Sequence, residues 1–227
     1  MVRLVGNWGH GEVWQITSGR FPSNAYVCTD ADSRNCLLVD GGLDPEFIDN
    51  TIQNMGLHPI LACCTHAHFD HAGSAAWFQH RYGLPVYLHH ADQKILKAAN
   101  FMLMAFKIGG KIDLPEVTWV HTPAPCSFAK QALLFHHAPG HTPGSCIVQL
   151  GTALFTGDTV YARHVGLSRL PGENPQQLRE SILGLWPLID TPHRVHPGHG
   201  PSTDGADIRQ NNLELVDFLG LSTCTLN

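Results

Sequence analysis

The chain has 227 residues, of which 43% are hydrophobic and 15% are charged, and its formal net charge is −5. This length and composition predict one globular domain spanning residues 1–227 and exclude a disordered chain. No stretch is densely basic, so we expect neither nucleic acid nor an anionic membrane as a partner. No apolar run approaches the ~18 residues of a membrane span and the N-terminus has no apolar signal core, so we expect a cytoplasmic protein.

The seven cysteines contain no Cys-x-x-Cys pair. An odd number of cysteines without this spacing predicts reduced, buried thiols and argues against a zinc finger.

The first half of the chain alternates apolar strands with helical patterns. Asp44 and Pro45 are typical of a helix start, and Gly56 of its end. "ILACCT" is continuously apolar, which is typical of a strand buried on both faces. The predicted strands are "EVWQI" (12–16), "AYVCT" (25–29), "CLLVD" (36–40), "ILACCT" (60–65) and "VYL" (86–88), and the predicted helices are 45–55, 74–83 and 91–99.

The second half begins with a less regular segment, residues 100–131, which we interpret as a helix and then a loop that folds over another part of the molecule. The later predicted strands are "ALLFHH" (132–137), "CIVQL" (146–150), "ALFTGD" (153–158) and "RVHPGHG" (194–200), and the predicted helices are 175–186, after the N-cap Asn174, and 207–220. Strands followed by helices in two groups predict an α/β domain with helices outside packed sheets.

Histidine and aspartate are concentrated in glycine-rich turns that follow the predicted strands. "THAHFDHAG" follows one strand, and "GHT", "GDT" and "GHG" follow three others. Loops at strand ends are where binding groups are usually placed, and the glycines let the backbone turn sharply. The candidate site residues are His66, His68, Asp70, His71, His141, Asp158 and His199.

Imidazole and carboxylate groups together suit divalent transition metals, zinc above all, with iron or manganese as alternatives. One catalytic ion needs about three protein ligands, so seven ligands suit two ions that share a carboxylate. We assign His66, His68 and His141 to one ion. We assign Asp70, His71 and His199 to the other, with Asp158 as the bridge.

In these motifs the chain resembles the metallo-β-lactamase superfamily, whose mark is His-x-His-x-Asp-His followed by a distant His, an Asp and a final His. The resemblance runs from about residue 12 to residue 215. It implies an αββα sandwich, in which two packed mixed sheets carry helices on their outer faces. It also implies a dinuclear site at one edge of those sheets.

Within the superfamily, "GHTPGS", "LFTGDT", "LPGENPQQLRESI" and "HPGHGPST" are most similar to glyoxalase II-like proteins, the hydroxyacylglutathione hydrolases. This resemblance implies a thioesterase, acting on substrates such as S-D-lactoylglutathione, in which a metal-bridging hydroxide attacks the carbonyl. Asp70 would then be catalytic, because it would both bind a metal and orient the hydroxide. Asp158 fits a bridging carboxylate that true metallo-β-lactamases lack, and flavodiiron relatives carry a Glu where Phe69 stands here.

Two departures weigh against glutathione as the carrier. Many relatives read Gly-Arg-Thr-Asp where this chain reads Gly166-Leu167-Ser168-Arg169. Full-length glyoxalase II also carries a basic C-terminal helical extension, whereas this chain ends soon after its last predicted helix.

Alternative functions stay open at this point. The same hydroxide would cleave lactones or other esters. A mononuclear iron persulfide dioxygenase would use only His66, His141 and Asp158. A metal-binding module would hold metal without turnover. The sequence predicts a small-molecule substrate and leaves the substrate, the metals and the oligomeric state undetermined.

Several further residues are candidates for supporting roles near these seven. Asp40 is a candidate support for the histidine-rich turn. The apolar stretch 101–106 fits either core packing or a substrate lid. Candidates for contacts to the ligands or the pocket are His136, His137, His196, Tyr161 and Arg163.

Overall fold

The computed structural model describes residues 1–19, 21–168 and 172–221. The first of its two sheets contains seven strands in chain order: β1 (Val2–Asn7), β2 (Glu12–Ser18), β3 (Ser23–Thr29), β4 (Asn35–Val39), β5 (His58–Cys63), β6 (Val86–His89) and β7 (Val117–Val120). Strands β1 to β4 pair antiparallel, and β4 to β7 pair in parallel.

The second sheet contains β8 (Cys126–Phe128), β9 (Gln131–His137), β10 (Cys146–Leu150), β11 (Ala153–Gly157), β12 (Arg194–Pro197) and β13 (Thr203–Asp204). Their spatial order is β13-β12-β11-β10-β9-β8. The pairs are antiparallel except that of β11 with β12, which is parallel and so brings the carboxyl ends of these two strands to the same edge.

Helices cover the outer faces of both sheets. They are α1 (Pro45–Asn54), α2 (Phe69–Ala72), α3 (Ala75–Tyr82), α4 (Gln93–Ala105), α5 (Pro175–Leu185), α6 (Gly205–Asn211) and α7 (Leu213–Phe218). Helices α1, α3 and α4 pack on the first sheet, and α5, α6 and α7 pack on the second. This arrangement confirms the predicted αββα sandwich.

Strand β3 shows why the central strands are apolar on both faces. Tyr26 and Cys28 face the core between the two sheets, whereas Ala25 and Val27 face the helices outside. Successive side chains of a strand point to opposite faces, so a strand covered on both sides needs apolar residues at every position. The C-terminal half of β5 repeats this pattern, since Leu61 and Cys63 face the core between the sheets and Ala62 faces the helices, whereas Ile60 is 40% exposed.

The C-terminal helical segment differs from the prediction of one helix over 207–220. The structure divides it into α6 and α7 at the buried residue Asn212. The Asn212 side chain accepts a hydrogen bond from the backbone N–H of Leu215 at 3.0 Å, and it donates to the carbonyls of Tyr161 and His164 at 3.0 and 3.2 Å. A side chain that caps one helix and holds a neighbouring loop ends the preceding helix.

Six described cysteines are free thiols, and five of them are buried, in agreement with the prediction; Cys224 lies outside the described residues. Burial raises the pKa of Cys28, Cys63 and Cys64 well above the ordinary value. Within the described residues, none of the helices combines the length and the apolar character that crossing a bilayer requires.

Candidate metal centre

The histidine-rich turn lies directly after β5, at the edge of the first sheet. His66 and His68 lie in the turn itself, and Asp70 and His71 lie in the short helix α2. The backbone N–H groups of His71 and Ala72 both donate to the carbonyl of His68, at 3.0 and 2.9 Å, which closes this helical turn. Four of the candidate residues are therefore held within one compact local structure.

The other three candidate residues come from the second sheet. Asp158 follows β11 and His199 lies just beyond β12. Because Gly157 pairs with Pro197 in the parallel register of these strands, Asp158 and His199 emerge side by side. His141 lies in the loop between β9 and β10. The structure thus brings all seven predicted residues to one edge of the sandwich.

His66, His68 and His141, the first trio, are buried and direct one ring nitrogen each toward a common point. Nδ1 of His68 lies 3.1 Å from Nε2 of His66 and 3.0 Å from Nε2 of His141. Three convergent imidazole nitrogens are the ligand set of a catalytic zinc site that keeps one position open.

Asp70, His71 and His199 form the second trio. Oδ2 of Asp70 lies 3.4 Å from Nε2 of His71 and 3.3 Å from Nε2 of His199. Asp158 lies between the trios: its Oδ1 is 3.4 Å from Nε2 of His71, and its Oδ2 is 3.5 Å from Nε2 of His141 and 3.6 Å from Nε2 of His199. A carboxylate that faces both trios is suited to bridge two cations.

Asp40 supports the histidine-rich turn from the end of β4. Its carboxylate accepts hydrogen bonds from the backbone N–H and the hydroxyl of Thr65, each at 2.8 Å, and from Nδ1 of His71 at 3.0 Å. The Thr65 hydroxyl lies 3.1 Å from Nδ1 of His66 and accepts from it, because its own hydrogen is directed at Asp40. Asp40 has a φ of 54°, a left-handed conformation that aspartate tolerates better than most residues.

These contacts determine how the imidazoles are oriented. His66 and His71 each donate Nδ1–H away from the centre, and His199 donates Nδ1–H to the carbonyl of Pro22 at 2.8 Å. The Nε2 atoms of these rings therefore point into the centre, the orientation that metal ligation requires.

Asp92 is a buried support that the sequence interpretation did not single out. Its carboxylate accepts hydrogen bonds from the backbone N–H of Ala67 at 2.9 Å, the hydroxyl of Thr142 at 2.8 Å and the backbone N–H of Gly144 at 2.6 Å. It thereby ties the turn of His66 and His68 to the loop of His141. Its only local signal is its place before α4, but it makes no side-chain cap to that helix.

Two observations test whether cations fit this centre. Nε2 of His71 and Oδ1 of Asp158 are buried, and neither has a hydrogen-bond partner among the described residues. A Cβ on Gly198 would lie 2.2 Å from Oδ1 of Asp158 and 2.5 Å from Cε1 of His71, so only glycine permits this close approach. Unpaired ligand atoms that converge in a buried site fit a pair of divalent cations.

Two imidazoles of the first trio, those of His66 and His68, are held neutral. Burial lowers the pKa of His66 well below its ordinary value, and the neighbouring histidines lower it further. Burial and His141 lower the pKa of His68 to about 4, although Asp70 opposes this shift. These imidazoles are therefore in the unprotonated state that a metal ligand needs.

The second trio attracts positive charge. Burial lowers the pKa of His71, but the carboxylates of Asp70, Asp158 and Asp40 outweigh it and raise that pKa to about 10. Burial raises the pKa of Asp70, but His71 and His199 outweigh it and lower that pKa to about 2. The electrostatic preference for a cation supports the fit that the geometry indicates.

A cavity of about 490 Å³ opens over the centre, and five of the seven candidate residues lie in its lining. Its walls include Phe21, Tyr161, the segment 165–168, and Met102 and Phe106. Within the apolar stretch 101–106, Leu103 is packed in the core, whereas Met102 and Phe106 line the cavity. Arg169, which belongs to the departure from the Gly-Arg-Thr-Asp pattern, lies outside the described residues.

The other histidine candidates serve other contacts. His136 pairs with Gln149 at 2.8 Å, His137 with the carbonyl of Pro143 at 2.9 Å, and His196 with Ser202 at 2.9 Å.

Of the two candidates for pocket residues, Tyr161 lines the cavity. Arg163 instead forms an ion pair with Asp207 at 2.6 Å.

An αββα sandwich in which histidine and aspartate side chains converge at one edge is typical of a class of metal-dependent hydrolases. The sequence profile of the metallo-beta-lactamase superfamily matches residues 18–199, and the chain belongs to this superfamily.

Three relatives illustrate the relationship. "Probable metallo-hydrolase YqgX" of Bacillus subtilis (strain 168) is 30% identical over 206 residues, which cover 88% of this chain and 95% of that protein. The hydroxyacylglutathione hydrolase of Anaeromyxobacter dehalogenans (strain 2CP-C) is 32% identical over 180 residues, which cover 79% of this chain and 63% of that protein. The crystal structure of TTHA1623 in a di-iron-bound form is 33% identical, with a TM-score of 0.75 and coverage of 88% and 98%.

Proposed function

We propose that this chain is a dinuclear metal-dependent hydrolase that cleaves a thioester, in the manner of the glyoxalase II-like enzymes. The observation that carries the proposal is the pair of trios that converge on Asp158, with five of the seven residues lining an open cavity. The 32% identity to a hydroxyacylglutathione hydrolase supports a thioester as the substrate class.

In this proposal His66, His68 and His141 hold one cation, and the second trio holds the other. Zinc suits these ligands, and iron is an alternative because a relative is named in a di-iron-bound form. When bound, the two cations supply a water of lowered pKa and positive charge where the carbonyl oxygen becomes negative.

In this proposal Asp70 is the side chain that orients the attacking water. Its pKa of about 2 keeps it ionised at neutral pH, and it lies in the cavity lining beside His71 and His199. An ionised carboxylate accepts a hydrogen bond from the attacking water and directs the oxygen lone pair at the thioester carbonyl. The C–S bond then breaks, and the thiolate leaves without a dedicated general acid because it is a weak base.

Tyr161 is a further polar residue of the cavity lining. Burial and the neighbouring Asp158 raise the pKa of Tyr161 well above its ordinary value, so the phenol stays protonated. A protonated phenol that lines the cavity is able to donate a hydrogen bond to the substrate.

The test combines metal content with thiol release from S-D-lactoylglutathione. We expect two metals per chain and turnover that is lost in His66→Ala and Asp158→Ala. His80→Ala, which changes an exposed histidine on α3, is the matched control and should retain both properties.

Two other outcomes would revise the proposal. Two metals with cleavage of lactones or oxygen esters, but of no thioester, would keep the dinuclear hydrolase and reject the substrate class. A single iron per chain would reject the dinuclear mechanism.

A further inference from the structure

We propose that the cavity selects substrates with an apolar hydrocarbon group next to the scissile carbonyl, an inference that rests on the proposed function. The feature that carries it is an aromatic wall formed by Phe21, Phe69, Met102 and Phe106, all of which line the cavity. Because this part of the lining is hydrocarbon, it fits an apolar group of the substrate and not a polar carrier.

The aromatic wall is a packed structure. The ring centroids of Phe21 and Phe69 lie 5.4 Å apart, those of Phe21 and Phe106 5.9 Å, and those of Phe69 and Phe106 5.6 Å. These are favourable spacings for tilted and edge-to-face aromatic pairs. Each ring therefore holds the others, and the wall presents a preformed apolar surface.

The wall is continuous with the candidate metal centre. Phe69 immediately precedes Asp70, and the ring of Phe21 lies 6.3 Å from the ring of His199. A group packed on the wall is thus adjacent to the carbonyl under attack. Val165 and Leu167 add apolar surface on the other side of the cavity.

Phe106 is 41% exposed, although it contacts two other aromatic rings. Exposed apolar surface that borders a reactive centre is typical of a ligand site. A hydrocarbon group of the substrate that packs on Phe106 removes its own apolar surface and that of the ring from water. A charged group placed there would lose its hydration without gaining a partner on this wall.

The first arm of the test varies the acyl group of N-acetylcysteamine thioesters from acetyl through butanoyl to hexanoyl. The second arm keeps the acetyl group and lengthens an alkyl thiol. We expect kcat/KM to rise roughly fourfold per added methylene in one of the arms until the wall is covered. The arm that shows the rise identifies which side of the thioester the wall holds.

Phe106→Ala and Met102→Ala should flatten this dependence on chain length. Phe101→Ala and Met104→Ala are the matched controls, because these side chains lie on the same helix, are 66% and 67% exposed, and do not line the cavity. The controls should keep the wild-type slope, and unchanged metal content in all four variants shows that the centre is intact.

Binding of non-hydrolysable alkyl thioethers, measured by calorimetry, separates this inference from the proposed function. If no thioester is hydrolysed but thioether affinity rises with chain length and falls in Phe106→Ala, the selectivity stands and the thioesterase is rejected. If thioesters are hydrolysed but both kcat/KM and affinity are independent of chain length, the inference is overturned and the thioesterase stands. Equal slopes in the wall variants and their controls would also overturn it.

Discussion

The two trios of the candidate metal centre differ in charge and in exposure. The first trio contains only imidazoles, and burial keeps those of His66 and His68 neutral; Asp92 ties its two halves together. The second trio contains a carboxylate and lies next to Asp158 and Asp40, and its His199 side chain is 30% exposed. The two trios thus have different electrostatic and steric environments, and Asp40 supports a histidine of each, His66 through Thr65 and His71 directly.

The largest effect should come from a change that damages both trios at once. In Gly198→Ala the new Cβ would collide with Asp158, which the trios share, and with His71. We expect loss of both metals and of hydrolysis, measured by elemental analysis and thiol release. Gly184→Ala, on α5, is the control, because a Cβ there meets no atom within 4 Å. Full metal content in Gly198→Ala would show that the close approach at Gly198 is not required.

Changing one ligand of either trio should separate the two positions. His141→Ala removes a ligand of the first trio, and His199→Ala removes one of the second. Each variant should bind one metal per chain instead of two, because the other trio and Asp158 are unchanged. Elemental analysis after dialysis checks this result. Loss of both metals in either variant would mean that the two positions bind only cooperatively.

Substitution of the supporting carboxylates, Asp40 and Asp92, should have a smaller effect on metal binding than loss of a ligand. Asp40→Asn removes the negative charge that orients His71, and Asp92→Asn weakens the link between the turn of His68 and the loop of His141. We expect Asp92→Asn to weaken the affinity for the metal of the first trio by roughly 10- to 100-fold. Asp40→Asn should weaken the affinity for both metals, because Asp40 orients His71 directly and His66 through Thr65. Competition with a chromophoric chelator measures both affinities. Weakened affinity for one metal only in Asp40→Asn would contradict its support of both trios.

His196 is a buried histidine outside both trios, and its lowered pKa should make the stability of the protein depend on pH. Burial, with a contribution from Arg194, lowers its pKa to about 3. Because the unfolded chain takes up this proton near pH ~6.5 and the folded chain does not, stability should fall as the pH decreases from ~6.5 toward 3, by up to about 1.4 kcal/mol per pH unit. His196→Asn should lack this component, so urea unfolding at several pH values should show a shallower slope in the variant. Identical slopes would contradict the assignment.

Much of the fold could be predicted from apolar patterns, but two strands and one helix break could not. The run that became β5 was recognisable because a strand covered on both faces needs unbroken apolar residues. Strand β1 is largely exposed and β13 has only two residues, so neither shows such a pattern. The break at Asn212 was also hidden, because it depends on carbonyls of Tyr161 and His164 that are distant in the sequence.

By itself, the sequence predicted the seven candidate ligands and their assignment to two ions, because the chemistry of metal binding demands particular residue types at turns after strands. Only the tertiary structure decided what holds these ligands and what surrounds them. Asp92 reaches the loop of His141 across 50 positions of sequence, and Phe21 meets Phe106 only after α4 packs beside the centre. Such contacts depend on long-range packing, which leaves no periodic signal in the chain.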